Sequence, residues 1–213
     1  MILYTPIDIE FDMPTEQKII DWFHSHKIQE SDYWEKKQNR HEWCYVALRK
    51  EPDSWYTYDA WVDWSTERQP IDNPKLIFHP GFEKEFPGLA KCVRELPFDQ
   101  VGTSGFIMQL SEIPPHKDAI MSYDPTEPRR YVIYVTNPEE NTFYLKHNGK
   151  KYYPKIDPKY RCFAFNNNDI EHGADSPKGT KILLSTVGII NTKKHNELIA
   201  RSIDKFKDKV INI

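Results

Sequence analysis

Thr142-Phe143-Tyr144-Leu145-Lys146-His147-Asn148-Gly149-Lys150-Lys151-Tyr152-Tyr153 carries the clearest local structural signal in the chain. Two runs rich in β-forming residues flank an Asn-Gly pair. Both residues of such a pair take positive φ readily, which favours the type I′ turn of a tight antiparallel hairpin. The hairpin spans roughly 142–156. On either side of it, Gly105–Leu110, Arg130–Thr136, Arg161–Phe165 and Lys181–Ile190 read as further short strands, with a Pro114-Pro115 break after the first of them.

Around these strands the periodicity changes to that of helices. Residues 14–27 place Ile19, Ile20, Trp22 and Phe23 on one stripe, with Thr15 as the expected N-cap. Residues 83–96 align Phe86, Leu89, Val93 and Leu96, and Pro87 suits a first helical turn. A last helix, roughly Lys194 to Val210, carries Leu198, Ile199, Ile203 and Phe206. Between the first two helices the alternation Tyr58, Ala60, Val62, Trp64 predicts a strand, in a Trp- and Tyr-rich region from 30 to 70. Many short strands between Pro, Gly and Asn turns give a mainly β fold with flanking helices, a barrel or jelly roll. No repeat or low-complexity linker interrupts the chain.

Composition narrows the function classes. In 213 residues there are six Trp, twelve Tyr and eleven Phe, ample material for a core and contrary to disorder. No apolar run is long enough to span a bilayer, so no membrane role is expected. The net charge of −3 gives no general pull toward nucleic acid. Cys44, Cys92 and Cys162 form no CxxC pair and suggest neither a disulfide framework nor a thiolate metal site. The opening Met1-Ile2-Leu3-Tyr4-Thr5-Pro6 lacks the plan of a signal peptide, so a reducing, cytoplasmic location is expected.

The residues that carry chemistry are His116-Lys117-Asp118 and His172. On a strand, positions i and i+2 share a face, so His116 and Asp118 converge while Lys117 points away. An imidazole and a carboxylate on one edge, joined by a second imidazole from a neighbouring strand, make a facial triad that leaves coordination positions open, as in non-haem iron(II) oxygenases.

This set of residues resembles the iron(II)- and 2-oxoglutarate-dependent oxygenases, whose pattern is His-x-Asp, a distal His, and a basic residue about ten positions later. The context Ile107-Met108-Gln109-Leu110 with Ile113-Pro114-Pro115-His116, and Phe165-Asn166-Asn167 with His172-Gly173-Ala174, is similar to aspartyl/asparaginyl- or prolyl-hydroxylase-like members. The resemblance covers roughly residues 100–190. It implies a double-stranded β-helix (jelly-roll) core over 100–190, with 1–99 as an N-terminal decoration and 191–213 as a C-terminal helix of one oxygenase-like domain, 1–213. It further implies that His116, Asp118 and His172 bind Fe(II), and that 2-oxoglutarate anchors its far carboxylate on Lys181 with Arg130 assisting. The implied activity is dioxygenation: hydroxylation of a C–H bond in a small-molecule or peptide substrate, with release of succinate and CO₂.

Other readings stand beside these. His116 and Asp118 can form a surface turn after two prolines, and Lys181 can face solvent, leaving Lys178 or Arg130 as the anchor. Of Arg129 and Arg130, at least one must face solvent if the strand alternates. The remaining histidines (24, 26, 41, 79, 147 and 195) lack ligand spacing and read as surface or core-edge residues. Trp34, Trp43, Trp55, Trp61 and Trp64 read as packing between outer helices and barrel. Between Tyr144 and Arg161, six cations face one acid, Asp157. Interleaved tyrosines make a nucleic-acid-directed oxygenase conceivable, but a solvated, aggregation-resistant sheet edge is the favoured reading. The rival from another class is a non-catalytic jelly-roll module that holds a metal or small ligand. The prime substrate and oligomeric state are not legible.

Overall fold

The computed structural model describes residues 2–29, 40–57, 75–118, 129–136, 140–165 and 170–212. The expected strand through Tyr58, Ala60, Val62 and Trp64 lies outside the described residues, as do Trp34 and Asn166-Asn167. In chain order the elements are β1 (Ile2–Pro6), α1 (Glu16–His26), β2 (His41–Leu48), β3 (Ile77–Phe78), α2 (Phe82–Glu85), α3 (Pro87–Glu95), β4 (Phe98–Gln109) and β5 (Ile113–His116). They continue with β6 (Arg129–Tyr134), β7 (Phe143–His147), β8 (Lys150–Tyr152), β9 (Cys162–Phe165), β10 (Glu171–Ala174), β11 (Lys181–Ile190), α4 (Thr192–Lys205) and β12 (Ile211–Asn212).

The strands form two sheets. The larger runs β12-β1-β9-β6-β11-β4-β2-β3 and the smaller β5-β10-β7-β8. Counting β4 to β11 as first to eighth, the first pairs the eighth, the eighth the third and the third the sixth in one sheet. In the other, the second pairs the seventh, the seventh the fourth and the fourth the fifth. Every pairing is antiparallel. That order is the double-stranded β-helix, or jelly roll. β2 and β3 extend the large sheet beyond β4, and β1 and β12 extend it beyond β9.

Local chemistry explains the corners. Asn148 (φ 49°) and Gly149 (φ 77°) both take positive φ in the β7–β8 hairpin, as a type I′ turn requires. Pro114 and Pro115 lie within β5 rather than breaking it, because β5 is an edge strand among the described residues, with no second described partner to miss their N–H groups. The expected helix over 83–96 is divided at Phe86 (φ −132°, ψ 59°), and Pro87 opens α3 at its first turn. Thr15 sits at the N-cap of α1 without a side-chain capping bond, whereas Asn191 caps α4 by accepting from the Lys194 N–H at 2.9 Å. That helix ends at Lys205, short of the expected Val210.

The large sheet is buried on both faces, and its residues sort with period two. Ile182 and Leu184, Tyr131 and Ile133, Cys162 and Ala164, and Phe106 and Met108 face outward against α1–α4, where Ile19, Phe23, Phe82, Leu89 and Leu198 meet them. The alternate residues Val132, Tyr134, Phe163 and Phe165 face inward against Phe143 and Leu145 of the small sheet. Phe143 packs on Phe163 and Phe165 with ring centroids 5.5 and 4.9 Å apart, closing one side of the sandwich. Each such buried ring contributes on the order of 2 kcal/mol. The other side stays open as a cavity of about 630 Å³ between the sheets.

Candidate functional site

The cavity receives side chains from both sheets. β5 and β10 pair with His116 opposite His172, so one register places both imidazoles side by side, their ring centroids 4.4 Å apart. β5 ends at His116, and Asp118 reaches the same point from the segment just beyond the strand rather than from the strand face the i, i+2 argument assumed. Asp118 Oδ1 lies 3.7 Å from His116 Nε2 and 3.6 Å from His172 Nε2. One ligand atom from each of the three falls within 4.8 Å of the others. Gly173 is required beside them, since a Cβ there would meet the Ile113 carbonyl and the Tyr144 hydroxyl, each at 2.5 Å.

The protonation states suit metal binding. His116 Nδ1 is 2.9 Å from the Pro114 carbonyl, which can only accept, so Nδ1 carries a proton and, in the neutral ring, Nε2 presents its lone pair to the site. His172 is buried, and among the described residues neither ring nitrogen has a side-chain hydrogen-bond partner. Burial pushes its pKa down to about 4, against the upward pull of Asp118, so the ring is neutral at physiological pH. A buried imidazole with no side-chain partner among the described residues, facing a carboxylate beyond hydrogen-bond reach, fits a position where a cation would sit. Two nitrogens and one carboxylate oxygen are a donor set for a first-row divalent metal such as iron.

Two cations occupy the cavity at different levels. Arg130 faces inward on β6, and its Nη1 lies 3.3 Å from Asp118 Oδ2. Lys181 is buried at the start of β11, opposite Gln109 of β4. Its ammonium donates to the Thr142 hydroxyl and lies 5.3 Å from the Tyr134 ring centroid. Thr142 in turn donates to Gln109 Oε1 at 3.3 Å, and Gln109 Nε2 donates to the Asp175 and Ser111 carbonyls at 2.8 and 2.9 Å. Burial pulls the Lys181 pKa down to about 7, with Asp175 opposing. Lys178 is exposed. Register measures the separation: Arg130 pairs Val187, six residues beyond Lys181, or about 20 Å along β11. Thr142 stands three residues, about 10 Å, from Leu145, which pairs His172.

Two contributors were not read from the sequence. His41 and Trp43, placed among surface and helix-packing residues, lie on the inner face of β2 and line the cavity with Arg40. Nothing in their local spacing marks them; only the pairing of β2 with β4 brings them there.

No protein-family model matches the chain and no curated protein matches it significantly. Solved structures are similar to it at low identity. A 2OG-Fe(II) oxygenase family oxidoreductase from Burkholderia pseudomallei is 13% identical, with a TM-score of 0.43 over 79% of this chain and 75% of that one. A Pseudomonas putida prolyl-4-hydroxylase is 7% identical, with a TM-score of 0.39 over 88% and 94%. HygX from Streptomyces hygroscopicus, with nickel and 2-oxoglutarate bound, is 7% identical, with a TM-score of 0.38 over 82% and 78%. In its double-stranded β-helix and its His-x-Asp…His group, the chain resembles the iron(II)- and 2-oxoglutarate-dependent oxygenases.

Proposed function

We propose that this protein is an iron(II)- and 2-oxoglutarate-dependent dioxygenase that hydroxylates a C–H bond of a small-molecule or peptide substrate. The observation that carries the reading is a metal-ready His116–Asp118–His172 group with a buried ammonium, Lys181, about 10 Å from it along the same cavity. That span suits a five-carbon 2-oxo diacid, chelating at one end and ion-paired at the other. When bound, iron would supply the oxidative chemistry: substrate C–H, O₂ and 2-oxoglutarate become C–OH, succinate and CO₂.

The chain's own residues do the rest. His116, Asp118 and His172 would hold the metal, with the Pro114 carbonyl fixing the His116 tautomer. Arg130, paired with Asp118, would orient that carboxylate, and would assist at the chelating end of the co-substrate. Lys181, steadied by Thr142, would grip the far carboxylate by a charge-assisted bond. Ile107, Val132, Phe163 and Leu183 would keep water from the reacting centre. The test is succinate formation from 2-oxoglutarate by the Fe(II)-loaded protein in air. A slow, iron-dependent release without added substrate is expected. A protein that binds iron and 2-oxoglutarate yet yields no succinate is a binding module, and the enzymatic reading falls.

A further inference from the structure

Two further histidines meet beside β2, and neither lines the cavity. His26 is the last residue of α1, and His79 follows β3. The His79 backbone N–H donates to the Val46 carbonyl of β2 at 2.8 Å, and its carbonyl accepts from the Phe82 N–H at 3.0 Å, so the sheet and α2 fix its position. The His26 ring stacks on Trp22, one helical turn earlier, with centroids 3.9 Å apart and planes 15° apart. The two imidazoles lie 4.8 Å apart, centroid to centroid, with their planes at 87°.

Both rings make the same kind of contact through Nδ1. That atom lies 2.9 Å from the Trp22 carbonyl in His26 and 3.1 Å from the Pro80 carbonyl in His79. A carbonyl can only accept, so each Nδ1 carries a proton and, in the neutral ring, each Nε2 keeps its lone pair. His79 is only 4% exposed, and its Nε2 is buried without a hydrogen-bond partner among the described residues. Burial lowers the His79 pKa, with the Pro80 carbonyl opposing, which favours the neutral ring.

From this arrangement we infer that His26 and His79 form a second metal site, apart from the iron group, that takes a late first-row divalent cation through their two Nε2 atoms. A backbone carbonyl on Nδ1 is a partner typical of metal-ligating histidines, since it fixes the tautomer and the ring. The spacing fits as well. With metal–nitrogen bonds of about 2.0–2.1 Å, two imidazoles that share an ion at about 90–109° have centroids about 4.5–5.2 Å apart. The observed 4.8 Å falls inside that range. Trp55 and Tyr56 approach His79 at 4.9 and 5.8 Å and give the pair a largely apolar shell, while the half-buried His26 leaves a way in for the ion.

The donor set selects the ion. Two imidazoles hold Fe(II) or Mn(II) poorly against water, but affinity for such donors climbs along the first row to a maximum at Cu(II). Cu(II) is therefore the favoured occupant, with water completing its coordination. Nothing in this assignment depends on the oxygenase reading.

The test uses the full chain carrying His116→Ala and His172→Ala, which removes both imidazoles of the iron group and leaves the second pair intact. Calorimetry should show one equivalent of Cu(II) bound and no Mn(II) bound at the same concentration. Nitrogen hyperfine structure in the Cu(II) electron paramagnetic resonance spectrum should report two imidazoles. Tryptophan fluorescence should fall, because Trp22 stacks on one ligand and Trp55 packs on the other. Adding His26→Ala should abolish the equivalent, the spectrum and the quenching, and so should His79→Ala. His24→Ala, at an exposed position on the same helix, should change none of them. His26 sits at a partly exposed helix end, so its variant keeps the fold, read by circular dichroism, and decides the matter even where the buried His79→Ala does not fold. Absence of a Cu(II) equivalent, a spectrum with a single nitrogen, binding that survives His26→Ala, binding lost in His24→Ala, or Mn(II) held as tightly as Cu(II) overturns the inference.

Discussion

At one end of the cavity Asp118 lies 3.3 Å from Arg130 and within 3.7 Å of both imidazoles, while at the other Lys181 is buried against Thr142 and Tyr134 with no ion-pair partner among the described residues. The contrast shows in protonation. Two imidazoles, that of His172 buried and neutral, converging on a carboxylate make a site that gains from a cation. A desolvated ammonium, its pKa drawn down to about 7, makes a site that gains from an anion. One cavity thus offers complementary ends to a metal and a dicarboxylate, and each end can be broken alone.

The metal end should show the largest effect. His172→Ala, or His116→Ala, removes one of three protein ligands, and stoichiometric Fe(II) or Mn(II) binding should disappear, since two donors compete poorly with water. Calorimetry under anaerobic conditions reads this directly. A variant that binds metal as tightly as the parent would refute the triad.

Lys181→Met should leave metal binding within a few-fold and weaken 2-oxoglutarate by roughly ten- to a hundredfold, the range for a buried charged hydrogen bond of about 1.5–3 kcal/mol. Equal loss of metal and co-substrate would mean that the two ends are not separable. The same end predicts a pH dependence. Both carboxylates of 2-oxoglutarate are ionised above about pH 5, so in the window from 7 upward Lys181 is the group that changes charge. Its free pKa is about 7, and a bound anion raises it. Affinity should therefore be greatest below about pH 7 and fall by up to tenfold per unit above it. The slope should vanish in Lys181→Met; a parent affinity flat from pH 6 to 9 would show that the ammonium does not contact the ligand.

The metal end was the more legible in sequence, for a physical reason. His116 and Asp118 are two residues apart, so local geometry alone brings them together, and His172 needed only a neighbouring strand. β5 itself was partly hidden, because a Pro-Pro pair reads as a break unless the strand is known to be an edge. β10, Glu171–Ala174, carries no β-branched residue and left no strand signal beyond its histidine. Lys181 was legible as a position but not as a face: burial of the whole strand hides which parity points inward, and only pairing with Gln109 resolves it. The walls from β2 were not legible at all. Trp43-Cys44-Tyr45-Val46 is apolar on both faces, so it gives no alternation from which an inner side could be chosen.

The smallest effect is expected at the β7–β8 hairpin, where sequence counted six cations against one acid. Folding supplies the missing acids from elsewhere: Lys146 pairs Glu171 at 3.6 Å, Lys151 pairs Asp175 at 2.7 Å and Lys159 pairs Glu10 at 3.1 Å. Three of the six cations are thus paired with acids from outside the segment, which weakens any field there that could steer a polyanion. Lys150 and Lys151 separate the two accounts. Lys150 is exposed on the edge strand β8, so Lys150→Glu should change neither Tm nor succinate release. Lys151 covers the Tyr144 ring at 3.9 Å as well as pairing Asp175, whose carbonyl helps to hold Gln109 in the row beside Lys181. Lys151→Glu sets two carboxylates against each other and should lower Tm slightly, with the loss shrinking as salt screens the repulsion. Turnover should follow stability alone. If instead either reversal slowed turnover several-fold at low salt without a change in Tm, the hairpin would be part of the substrate path and the sheet-edge account would fall.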